Sequence, residues 1–390
     1  MKILILGAGI YQVPLIKKAK EMGHFVMVAS IRGNYPGFTF ADKCVYLDTT
    51  DREAILSFAS SERIDAIVTT GTDVAVQTIG YVCEQLHLNG ISGECAELVT
   101  DKAKMKEALW RGGVRTAPFY RVHDLAEAYQ ACEAIKFPVV FKCVDRSGSR
   151  GICRADTPFE VPEAYDYAWC ATNAPYILVE KHLVGMEIGL DGFVTPDAEF
   201  YVPHAKRVYH NGLTDVPTGH ELPFEAPLEL HKDILEQGRL AARAVKLENG
   251  FFNMDIMISD GKCHIIEIGA RTGATCIPEV ISGHYGIDYY ELMIHHALGQ
   301  PLAVPQNPRQ ACVGELLISE KSGILKEIEI GDAGNALASH ISFDYRPGES
   351  VRRFHVGPDR IGQILVCGNT LSEVHEKLAL ARQEIQLVIE

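Results

Sequence analysis

The chain has 390 residues, long enough for two or three packed units, because single hydrophobic cores stop growing well before that size. Hydrophobic residues make up 47% and charged residues 23%, an ordinary balance for a soluble globular protein, with no long uninterrupted apolar run to span a bilayer. The formal net charge of −14 excludes a general affinity for nucleic acid, yet leaves room for a local basic pocket that takes a small anion. The 11 cysteines are scattered and none forms a Cys-x-x-Cys pair. They read as small buried hydrophobes in a reducing cytoplasm rather than as zinc or redox ligands.

In chain order, the opening MKILILGAGI is broken at Gly7 and Gly9 and lacks a signal-peptide cleavage pattern, so a buried strand is expected at 3–6. Helices at 13–22, from Asp51 onward, and at 74–86 alternate with strands at 25–29 and 66–68. Repeated βαβ units of this kind predict a doubly wound parallel sheet. Gly7-Ala8-Gly9 begins a dinucleotide fingerprint, but Gln12 stands where its third glycine belongs, and the second strand ends in Ala29-Ser30 without a ribose-binding acid. Arg32 keeps an NADP reading open; a plain tight turn and a substrate-anion site at the helix N-terminus are the alternatives.

Beyond residue 97 the pattern changes. A helix at 101–110 carries Lys102 in the context Asp-Lys-x-x-Met-Lys, and a strand at 138–142 closes on Lys142. A small-residue loop, Ser147-Gly148-Ser149-Arg150-Gly151, follows. Strands are expected at 176–180, 187–194 and 199–205, an amphipathic helix at 228–247, a hairpin at 251–268, and a helix at 289–298 stopped by Gly299 and Pro301. From about residue 306 onward, short strands and glycines suggest a small α+β segment.

Four features carry chemistry. Either lysine alone reads more often as a solvated surface residue. A fixed ammonium beside a loop with exposed N–H groups, however, is what a polyphosphate requires, and Lys142, closing an apolar strand, must point somewhere polar. The strand ending in Glu180-Lys181-His182-Leu183 offers backbone groups suited to an adenine edge, and Glu187 an acceptor pair for a ribose diol. In the hairpin, Asp260-Gly261 marks the turn. A three-residue loop, Asp260 to Lys262, pairs Ser259 with Cys263 and sets Asp255 opposite Glu267 on one face; a two-residue loop sends the acids to opposite faces. Two carboxylates so close repel unless a cation joins them, and hard oxygens on stiff strands suit Mg²⁺. Arg271, four residues past Glu267, is placed to bind a transferred phosphate or an acyl phosphate.

Together these residues resemble the ATP-grasp superfamily over about residues 1–305, in the carboxylate–amine ligase branch that includes amino-acid ligases and carbamoyl-phosphate-synthase-like chains. The resemblance implies a pre-ATP-grasp domain at 1–97, an ATP-grasp domain at 98–305 (a lysine and glycine-loop subdomain about 115–183, a metal-binding subdomain about 184–305), and a C-terminal α+β segment at 306–390. It implies Lys102 and Lys142, with Ser147, Gly148 and Ser149, around the ATP phosphates. Glu180, Lys181 and Leu183 fall at the adenine hinge, Glu187 on the ribose, Asp255 and Glu267 on Mg²⁺ (for which Mn²⁺ substitutes), and Lys142 and Arg271 at the chemistry. The implied reaction turns a carboxylate into an acyl phosphate that an amine attacks, releasing ADP and phosphate, in a cytoplasmic protein whose pre-grasp surface commonly forms a homodimer. The family pattern Glu-x-Asn-x-Arg is broken here by Gly269, and Asn253, opposite Gly269 in the three-residue-loop register, is the candidate replacement metal ligand. An ATP-grasp kinase and a non-catalytic nucleotide-binding module are the competing readings. The polar stretch from His204, Lys206 and Arg207 through His210, Asp215 and His220 suits either a lid or a variable surface loop, and the identities of carboxylate and nucleophile are not encoded in these motifs.

Overall fold

The computed structural model describes every residue except 147, 149 and 211–214. The chain divides into two compact units, one comprising Met1–Thr72, Val202–Glu225 and Thr272–Glu390, the other Asp73–Tyr201 and Ala226–Arg271.

The first unit contains the expected parallel sheet, in the order Lys43–Tyr46, Phe25–Ser30, Lys2–Leu6, Ala66–Val68. Ile3 to Leu6 and Val26 to Ala29 are wholly buried, as strands covered on both faces must be. Gln12 decides the glycine turn. Its Oε1 accepts from the Gly9 amide at 2.9 Å and its Nε2 donates to the Thr70 carbonyl at 2.5 Å. A Cβ on Gly7 would lie 2.9 Å from the same side chain. The glutamine thus occupies one of the turn's amides and packs against its first glycine, an arrangement that suits a tight strand–helix turn.

The rest of this unit is antiparallel. Glu199–His210, Asp215–Leu222, Ala311–Leu317, Gly362–Gly368 and His340–Phe343 follow one another in one sheet, and Ser350–Val351, Gly323–Ile330 and Ile385–Ile389 form a small second one. The helix Leu371–Gln383 packs Val374, Leu378 and Ala381 against Val313, Ile364 and Val366. Cys312 and Cys367 are register partners joined as a disulfide, which corrects the expectation of eleven free thiols; nine are free. Within the polar stretch, His204 and His220 are buried edge-to-face at 4.6 Å, so these two do not belong to a variable surface loop. Burial holds the His220 imidazole well below its ordinary pKa.

The second unit has a four-stranded antiparallel sheet in the order Phe119–Val122, Ile177–Lys181, Val139–Lys142, Ile152–Ala155. The helices Leu125–Ile135 and Val161–Ala171 cover it, Ala128, Ala131, Ala164 and Ala168 allowing close approach to Val139, Phe141 and Val179. The antiparallel strands Met186–Val194, Gly250–Ser259 and Lys262–Gly269 carry the site. The helix Lys102–Arg111 is capped by Asp101, whose carboxylate accepts from the Ala103 and Lys104 amides. Among the described residues no helix is long and apolar enough to cross a membrane.

Candidate active site

Alternation in the strand Gly250–Ser259 buries Phe252, Met254, Ile256 and Ile258 and turns Asn253, Asp255 and Met257 to the other face. Registers on both sides extend that face into rows: Asp191, Asn253 and Gly269; Gly189, Asp255 and Glu267; Glu187 and Met257. The candidate ribose and metal acids therefore share one surface of a rigid sheet.

Asp255 and Glu267 are register partners, but not by the expected route. The loop holds two residues, with Ser259 paired to Lys262, and Asp260 and Gly261 both have positive φ (51° and 72°), as a type I′ turn demands. Two residues alone would put the acids on opposite faces. A bulge intervenes, since Ile256 pairs with Ile265 while Asp255 pairs with Glu267, leaving Ile266 as the extra residue. The extra residue reverses the facing of everything beyond it and brings Glu267 back beside Asp255.

Lys102 donates to Glu267 Oε1 at 2.9 Å and to the Arg146 carbonyl at 2.7 Å. Burial pulls its pKa down, but Glu267 more than offsets this and holds the ammonium above its ordinary value. Lys142 donates to Glu180 Oε2 at 3.0 Å, because the register Val140 to Glu180 puts both side chains diagonally on one face. Glu180, expected at the hinge, buries its carboxylate here against Lys142 and Lys106, the latter missed in the sequence; Lys106 lies one helical turn after Lys102, the signal that was available. Lys181 spends its ammonium on the Lys136 and Phe137 carbonyls and its amide on Pro118. Leu183 follows, half-buried, and Glu187 is exposed. Gly148 and Gly151 have φ of 70° and 65°, conformations that suit glycine, while Ser147 and Ser149 lie outside the described residues.

Arg271 is held by Asp73, Nη2 donating to Oδ2 at 2.9 Å and Nε lying 2.8 Å from Oδ1 as an ion-pair contact. Its Nη1 donates to Asn253 Oδ1 at 3.1 Å, and Asn253 Nδ2 donates to Asp191 Oδ2 at 2.7 Å. Asn253 thus uses its carbonyl on the arginine, not on a free coordination position. Asp191, wholly buried, went unremarked in the sequence, where a lone acid in an apolar strand carries no signal of its neighbours. A Cβ on Gly269 would sit 3.0 Å from Asp73 Oδ1 and 3.5 Å from Arg271 Cζ. The glycine at the family's asparagine position therefore makes room for the Asp73–Arg271 pair.

A family model described as L-amino acid ligase C-terminal domain 2 matches residues 315–390. The chain is 29% identical over 232 residues to a D-alanine–D-alanine ligase of Geobacter sulfurreducens, covering 55% of this chain and 71% of that protein. It is 22% identical over 392 residues to an L-arginine-specific L-amino acid ligase of Bacillus subtilis, covering 96% of this chain and 94% of that one. A solved phosphoribosylglycinamide synthetase from Anaerococcus prevotii superposes with a TM-score of 0.85 at 29% identity, covering 100% of this chain and 99% of that one.

Proposed function

Because this chain belongs to the ATP-grasp carboxylate–amine ligases, we propose that it phosphorylates the carboxylate of an amino acid and hands the acyl group to an amine, releasing ADP and phosphate. It is an ATP-dependent ligase that forms C–N bonds, of a family whose cofactors are ATP and Mg²⁺. The observation that carries the amino-acid reading is the Arg271–Asp73 pair, one fixed cation and one fixed anion next to the carboxylate row. A zwitterion carries the complementary charges: its carboxylate suits Arg271 and its ammonium Asp73.

In this reading Lys102 and Lys142 bind phosphate oxygens, and Glu187 takes the ribose. Asp255 and Glu267 would hold Mg²⁺; Glu267 already draws a cation, the Lys102 ammonium, which supports the fit. When bound, the ion neutralises charge on the terminal phosphates. Arg271 donates to the oxygens of the activated carboxylate and steadies the oxyanion when the amine attacks. Incubation with ATP, Mg²⁺ and pools of amino acids is expected to release ADP and phosphate in step with a new amide. AMP and pyrophosphate as coupled products, or phosphate retained on the product, would overturn this mechanism.

The glycine gives a second expectation. Gly269→Asn pushes a side chain into Asp73 and should raise the KM for the amino acid by about tenfold or more, equivalent to roughly 1.4 kcal/mol, while MgATP binding persists. An unchanged amino-acid KM would remove Asp73 from substrate binding.

A further inference from the structure

Lys106 has no part in the reading above, yet it is only 1% exposed. The helix Lys102–Arg111 presents Lys102 and Lys106 one turn apart on one face, the first to Glu267, the second to Glu180. Lys106 Nζ lies 3.3 Å from Glu180 Oε2, the same oxygen that accepts from Lys142 Nζ at 3.0 Å. Two ammonium groups thus share one buried carboxylate oxygen, while Glu180 Oε1 has no hydrogen-bond partner among the described residues.

The two lysines are tethered differently. Lys106 donates to Thr116 Oγ1 at 2.6 Å, and that hydroxyl gives its own proton to the Ile265 carbonyl at 2.6 Å, so the acceptor is fixed from behind. Lys142 sits at a strand end just before the glycine loop, and Glu180 is the one partner of its ammonium among the described residues. Burial lowers the Lys106 pKa to about 8, with Glu180 opposing the fall. Burial raises that of Glu180, but Lys106 and Lys142 outweigh it and hold the carboxyl below its ordinary value. A buried carboxylate stripped of its only counter-ion is strongly unfavourable. If Lys142 were alone on Glu180, moving it to a nucleotide would leave such a charge behind.

We propose that Lys106 is a positioning residue, a resident counter-ion for Glu180 that lets Lys142 transfer from that carboxylate to the nucleotide phosphates. The proposal rests on the reading of Lys142 as a phosphate ligand. Lys106 touches no substrate in this scheme; it sets what Lys142 gives up on binding.

The test is calorimetric titration of MgADP and of adenosine, which lacks phosphates, into wild type, Lys142→Met, Lys106→Met and the double variant Lys106→Met/Glu180→Gln. Both single variants are expected to bind MgADP at least about tenfold more weakly while adenosine affinity stays within about twofold. The double variant, with no charge left to compensate, should recover MgADP affinity to within about threefold of wild type. It also keeps the test decisive if Lys106→Met alone does not fold. A wild-type ratio of the two affinities in Lys106→Met, an equal loss of both ligands, or no recovery in the double variant overturns the proposal and leaves Lys142 on the phosphates. Wild-type MgADP binding by Lys142→Met overturns that reading as well.

Discussion

Replacing Lys142 by alanine is expected to lower ATP turnover by at least about a hundredfold, roughly 2.7 kcal/mol in transition-state terms, with the fold retained. A charge-assisted contact to phosphate is among the strongest a side chain can lose, and Lys102, assigned its own phosphate contact, does not replace it. Retention of the fold has a structural reason. Glu180 keeps Lys106 at 3.3 Å, so the deletion does not leave the buried carboxylate bare. ADP release under saturating amino acid, measured alongside a thermal melt, separates the two effects. Wild-type turnover would reduce Lys142 to a structural partner of Glu180, and collapse of the melt would show that Lys106 does not suffice.

The parallel sheet was legible because its strands, such as Ile3 to Leu6, are unbroken apolar runs between turn residues. The amphipathic helix Leu228–Ala244 was legible from its period. Short or locally weak elements were not: Lys43–Tyr46 is only four residues with one buried side chain, and the helices Leu125–Ile135 and Val161–Ala171 owe their place to alanines packed on a sheet. The pairing of Asp255 with Glu267 was anticipated from a three-residue loop, whereas the chain uses two residues and a bulge at Ile266. Each deviation flips the facing once, so they cancel. A bulge between Ile265 and Glu267 has no glycine to announce it, and its position follows from pairing across the sheet.

Contacts that join distant segments were the least legible. Asp191 reaches Asn253 only because Met186–Val194 runs beside Gly250–Ser259, and Cys312 meets Cys367 only through a pairing of strands 55 residues apart. Lys106 carried a partial signal, its spacing from Lys102, but nothing local ties it to Glu180. Gly269 was visible as a departure from the family pattern. That its empty side-chain space belongs to Asp73 needed three dimensions.

Arg271→Lys is expected to keep nucleotide binding and lose roughly 2–4 kcal/mol in kcat, the scale of removing one oxyanion donor. The guanidinium now donates from Nη2 to Asp73 and from Nη1 to Asn253, two directed hydrogen bonds from one planar group, with Nε 2.8 Å from the second Asp73 oxygen. An ammonium is a point charge on a flexible stem and cannot donate in parallel to two oxygens of a carboxylate or phosphoryl group. Burial would also lower the charge on a lysine there, whereas Asp73 outweighs burial and holds the Arg271 pKa above its ordinary value. The substitution thus removes geometry and weakens charge at the proposed site of the acyl phosphate, while Lys102 and Lys142, the proposed nucleotide ligands, are untouched. Binding of MgADP near wild-type affinity, with kcat reduced about thirtyfold or more, is the expected signature. An unchanged kcat would take Arg271 out of the chemistry and leave it as the partner that orders Asp73 and Asn253.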